Sequence, residues 1–98
     1  MILEQVILQV LPEQREAFEE AFDEAKSLIA RAPGFLGLSL SRDVHGTATY
    51  LLLVEWESIE DHTEGFRKSA DYGLWSDLLH RFYDPFPTVA HYLPITHA

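Results

Sequence analysis

The side chains able to move protons gather in the second half of this 98-residue chain. His62 lies in the segment HTEGFR, with Phe66 four residues on and Gly65 leaving space on the same flank. An imidazole titrates near neutrality, so His62 is the first candidate for a general base. The plainer reading is a solvent-facing histidine near a helix start. Tyr72, Ser76, His80 and Tyr83 recur at spacings of four and three, a polar and aromatic stripe beside the apolar Leu74, Trp75, Leu78 and Leu79. In that stripe His80 is the second candidate base and Tyr72 a candidate hydrogen-bond donor to an oxyanion. Tyr83 could line a pocket, or bury its ring and keep its hydroxyl wet. Arg67, one of seven cations, could hold an anion at a pocket mouth or pair on the surface with Glu64 or Asp71. Phe66 and Trp75 are candidate walls for an aromatic ligand and equally ordinary core residues.

Other chemistries are excluded by what is missing. With no cysteine there is no disulfide, thiol nucleophile, Cys-ligated zinc or iron–sulfur cluster. His62, His80 and His91 could converge on a metal, but no His-x-His or His-x-x-x-His spacing occurs, so no metal site is expected. His91 shares a strand face with Val89, Leu93 and Ile95 and reads as a satisfied core or interface residue. Seven Lys+Arg against 16 Asp+Glu leave a net charge of −9. That balance disfavours nucleic acid and anionic membranes as partners. No apolar run is long enough to span a bilayer, and Glu4 interrupts the start where a signal peptide would be apolar. The expected location is the cytoplasm.

The elements that must position these residues follow from periodicity. ILEQVILQVL reads as a strand ending at Pro12. From Pro12 to Ala32, Ala17, Phe18, Ala21, Phe22, Ala25, Leu28 and Ile29 recur at helical spacing, and the carboxylates between them form a solvated face. Pro33-Gly34 ends this helix. Phe35 to Arg42 alternates, with Leu36, Leu38 and Leu40 to one side, and His45-Gly46 forms a hairpin tip. Thr47 to Glu57 places Tyr50, Leu52, Val54 and Trp56 on one face and Thr49, Leu51, Leu53 and Glu55 on the other, so both faces should be covered. Trp56 should anchor a helix against the sheet. Ser58, with Asp61 three residues on, caps a second helix that breaks near Lys68 and restarts at Ser69. Asp84-Pro85-Phe86-Pro87 ends the helical region before a strand over Thr88 to Ile95. The order is β-α-β-β-α-β with the second helix split: an α+β, ferredoxin-like domain over residues 1–98, with a four-stranded antiparallel sheet and helices on one face. A small domain with a two-sided apolar strand should dimerise through its sheet.

The opening ILEQVILQVLPEQREAFEEAF, the PGFLG turn, YLLLVEWES, HTEGFR, SADYGLW and FYDPFP resemble the antibiotic biosynthesis monooxygenase family of dimeric α+β barrels. The similarity extends over nearly the whole chain and is strongest with an uncharacterised bacterial branch. It implies a homodimer with a pocket between sheet and helices in each subunit. It also implies a cofactor-independent monooxygenase oxidising an aromatic quinol, anthrone or polyketide-like phenol, with O₂ as co-substrate and no other cofactor. Haem-degrading relatives use an Asn, a Trp and a His where this chain has Gln5, Gly65 and Ser76, so that activity is not expected. Relatives that oxidise quinols place a His near Gly65; His62 is one turn earlier. The alternatives are a non-catalytic dimeric module binding a small hydrophobic metabolite, or an isomerase using the same base without O₂.

Overall fold

Alternation in ILEQVILQ sends Glu4, Val6 and Leu8 to one side and Leu3, Gln5, Ile7 and Gln9 to the other. In the computed structural model, which describes residues 1–98, this segment is strand β1, Ile2–Gln9, and it is Glu4, Val6 and Leu8 that are buried. Helix α1, Arg15–Ala30, precedes strands β2, Phe35–Arg42, and β3, Thr49–Trp56. A π-helical turn at Asp61–Phe66, helix α2, Ala70–Leu79, and strand β4, Val89–Tyr92, complete the chain. All pairings are antiparallel and the strand order is β2-β3-β1-β4, the expected ferredoxin-like arrangement. Phe18, Phe22, Ala25 and Ile29 of α1 pack with Leu8, Tyr50, Leu52 and Val54 of the sheet and with Trp75, Leu79 and Phe82. Each such large side chain contributes roughly 1.5–3 kcal/mol by leaving water.

Several boundaries differ from the sequence reading for local reasons. Gln14 N–H donates to the Leu11 carbonyl at 2.9 Å, so Pro12–Gln14 is a 3₁₀ turn and the α-helix proper starts at Arg15. A register shift between Phe35 and Gly37 frees Leu36, which is exposed and not aligned with Leu38 and Leu40 as the alternation suggested. Phe35 takes the inner position opposite Trp56, with the ring centroids 5.9 Å apart and edge-on. Leu74, placed on the apolar stripe of α2, is likewise exposed. β4 ends at Tyr92, so Leu93 and Ile95 lie beyond the sheet.

The second helical region begins with the expected cap. Ser58 N–H donates to Asp61 Oδ2 at 3.2 Å and Asp61 N–H returns to Ser58 Oγ at 3.3 Å. It then winds as a π-turn, closed by Arg67 N–H on the His62 carbonyl at 2.9 Å. Ser69 caps α2 by accepting from Tyr72 N–H at 3.2 Å. The helices leave the other side of the sheet bare: Leu51 and Leu53 are half-buried there, and Ile7 and Tyr92 are 44% and 51% exposed.

Candidate functional site

A cavity of about 450 Å³ lies between the inner face of β1 and β4 and the chain from the π-turn to Val89. This is within the usual size of a small-molecule pocket, roughly 300–1,000 Å³. All seven side chains singled out in the sequence line it: His62, Arg67, Tyr72, His80, Phe66, Trp75 and Tyr83. The walls are aromatic. Phe66 meets Trp75 edge-on at 5.8 Å and Tyr72 at 5.5 Å, while Trp75 also packs on Phe22 of the core. Thus Phe66 and Trp75 are core and wall at once.

Two residues that the sequence reading did not place in the site, where His91 read as a satisfied core or interface residue, complete the polar side. Glu4 and His91 are direct cross-strand partners on β1 and β4, both on the inner face. His62, 4% exposed, lies over them from the π-turn with its ring stacked on Trp56 at 5.6 Å. Its Nδ1 is 2.9 Å from His91 Nε2, and its Nε2 is 3.5 Å from Glu4 Oε1. Trp56 Nε1–H donates to the same Glu4 oxygen at 2.9 Å. Besides anchoring the helical segment, Trp56 therefore holds a buried carboxylate. His62 is no surface histidine: burial first, then the charge of Arg67 and the neighbouring His91, pull its pKa down to about 4. Burial pushes the Glu4 carboxyl up, opposed by the Trp56 hydrogen bond and by Arg67. His91 is lowered by burial and by Arg67.

The second histidine stands in different company. Ser76 Oγ is 2.8 Å from His80 Nδ1, and the imidazole is edge-on to Tyr72 and Phe86 at 5.8 and 4.9 Å. Burial lowers its pKa. Burial, followed by the nearby Tyr72, pushes the Tyr83 phenol up, so it remains a neutral donor. His62 and His91 meet through their ring nitrogens, whereas His80 is hydrogen-bonded to Ser76. Arg67 forms neither of the anticipated surface pairs. Glu64 is taken by Lys68, and Asp71 by Arg31 through two hydrogen bonds of 2.7 Å. An exposed guanidinium without a carboxylate partner is left at the cavity rim.

Glu4 carried a signal that went unused: it is the one carboxylate on an inward face otherwise holding Val6 and Leu8. His91 could be placed on a strand, but only the pairing of β4 with β1 sets it opposite Glu4.

A four-stranded antiparallel sheet with helices on one side and an aromatic-walled cavity between them defines a small α+β domain of ferredoxin-like fold. The chain belongs to the antibiotic biosynthesis monooxygenase family, whose pattern matches residues 1–77. The uncharacterised protein YczJ of Bacillus subtilis (strain 168) is 49% identical over 92 residues, covering 94% of this chain and 97% of that protein. A crystallised protein from Bordetella bronchiseptica, assigned to the antibiotic biosynthesis monooxygenases, is 32% identical, covers 97% of each chain and superposes with a TM-score of 0.92. SnoaB, a cofactor-independent oxygenase from Streptomyces nogalater, shares the fold with a TM-score of 0.77 at 14% identity, covering 98% of this chain and 92% of its own.

Proposed function

We propose that this protein is a cofactor-independent monooxygenase that ionises an aromatic quinol, anthrone or polyketide-like phenol and lets the anion react with O₂. The observation that carries this reading is the convergence of buried proton acceptors and a free guanidinium, Arg67, on one aromatic-walled cavity. Phe66, Trp75 and Tyr83 hold the rings. A histidine takes the hydroxyl proton, and Arg67 stabilises the resulting enolate or phenolate. Tyr72 and His80 donate to reduced oxygen. For an anthrone, one oxygen atom enters as a carbonyl and the other leaves as water; the substrate supplies the electrons, so neither metal nor flavin takes part. SnoaB lends support as a cofactor-independent oxygenase with this fold.

The bare sheet face is part of the same reading. Two copies meeting through Leu3, Ile7, Leu51, Leu53 and Tyr92 would form a homodimer and cover the apolar surface each subunit exposes.

Oxygen uptake with purified, metal-free protein and a panel of quinols and anthrones tests the function. Turnover is expected without added cofactor, and His62→Ala should lower it by about 100-fold, the order of a general base's contribution. Ligand binding with no oxygen uptake would instead point to a binding module. Rearranged substrate without uptake would point to an isomerase.

A further inference from the structure

The three polar side chains at the inner edge of the cavity form a connected path. We propose that Glu4, His62 and His91 are a proton relay in which His91 takes the substrate's hydroxyl proton and Glu4 is where that proton comes to rest. This deepens the proposed function and depends on it for the identity of the substrate.

The geometry assigns each member its place. Both His62 ring nitrogens face protein groups, Nδ1 toward His91 and Nε2 toward Glu4, and its ring is stacked on Trp56. His62 therefore has no free nitrogen for a ligand. His91 spends Nε2 on His62, while its Nδ1 has no hydrogen bond within the protein, and the residue is half-buried at the cavity. Before transfer, His91 Nε2–H donates to His62 Nδ1, and His62 Nε2–H faces ionised Glu4 across 3.5 Å.

During transfer the substrate O–H proton goes to His91 Nδ1, the His91 Nε2 proton to His62 Nδ1, and the His62 Nε2 proton to Glu4. Both imidazoles end neutral as the opposite tautomer, Glu4 ends as the neutral acid, and the negative charge has moved to the substrate near Arg67. Glu4 is the only carboxylate on the cavity, whose other ionisable groups are Arg67, Tyr72, His80 and Tyr83. Burial favours the protonated carboxyl of Glu4 and disfavours an imidazolium at His62, so His62 passes a proton without storing it.

Nitrogen-15 NMR of histidine-labelled, ligand-free protein tests the relay without any substrate. In the wild type, both His62 and His91 should carry the proton on Nε2 when Glu4 is ionised. Both should switch to Nδ1 as Glu4 is protonated on acidification, before either becomes imidazolium. Glu4→Gln should abolish the switch. Trp56→Phe, which removes the hydrogen bond favouring ionised Glu4, should move the switch to higher pH. Imidazolium appearing at His62 or His91 with no prior switch would overturn the relay, as would an unaltered switch in Glu4→Gln. The wild-type titration decides alone if that variant does not fold.

In oxygen uptake, Glu4→Gln should lower kcat about 100-fold with little change in KM. A tautomer switch in a protein that consumes no oxygen with any quinol would preserve the relay and remove the monooxygenase reading. Oxygen uptake with fixed tautomers would do the reverse.

Discussion

His62 binds its proton differently in the folded and unfolded chain, and that difference sets a pH dependence. Unfolded, it protonates near 6.5; folded, only at about 4. Between those values the unfolded state holds more protons, so stability is full above pH 6.5 and is lost as pH falls toward 4. The loss from this residue approaches roughly 3 kcal/mol. Urea unfolding at pH 7.5 and 4.5 should show it, and His62→Gln should remove the largest share; His80 and His91, also lowered, add to the loss, while Glu4, raised by burial, opposes it. Arg67 offers the complementary case. It has no ion pair to lose, so Arg67→Ala should leave the melting temperature within a degree or two of wild type. In the proposed reaction, weaker stabilisation of the anion formed on proton transfer should lower kcat by about 10-fold with little change in KM, equivalent to roughly 1.4 kcal/mol.

At the scale of elements, the path of the π-turn depends on one close approach. Gly34, at φ +83°, ends the loop after α1 where a Cβ would lie 2.1 Å from Asp61 Oδ2, the oxygen that also caps Ser58. Its carbonyl accepts from Glu57 N–H at 2.8 Å, joining this turn to the end of β3. Gly34→Ala therefore meets both a left-handed backbone and a clash. It should lower stability by at least about 1 kcal/mol in urea unfolding and disturb the segment carrying His62. Gly73 provides the control: nothing lies within 4 Å of its added Cβ in α2. Gly73→Ala should stabilise the protein by roughly 0.5–1 kcal/mol.

At the scale of the molecule, the two sides of one sheet face different tasks. The inner side is closed by helices and holds the cavity; the outer side keeps Ile7 and Tyr92 exposed beside Leu51 and Leu53. Light scattering coupled to size exclusion should give a dimer for wild type. Leu53→Glu, a charge at the middle of the proposed interface, should give a monomer with a lower melting temperature. A wild-type monomer at micromolar concentration would remove the dimer from the proposed function.

Local rules are enough to determine the element order, the split second helix and the two faces of β3, because strand alternation, helical spacing and the Ser58–Asp61 cap act over a few residues. The same rules place His62, Phe66, Arg67, Tyr72, Trp75, His80 and Tyr83 on one stretch of chain, from the π-turn to just past the last helical turn, and that stretch forms one side of the cavity. What required tertiary structure was the choice of partners. Arg67 is unpaired because Lys68 and a distant Arg31 have taken its neighbours' carboxylates. Leu36 leaves the core because a bulge lets Phe35 meet Trp56. Glu4 and His91, separated by almost the entire chain, become neighbours only through the register of β1 with β4, and His62 is buried only because the π-turn folds over both. Residue type and spacing determine which groups can do acid–base chemistry; long-range strand pairing and desolvation decide which of them meet and which charge states burial favours.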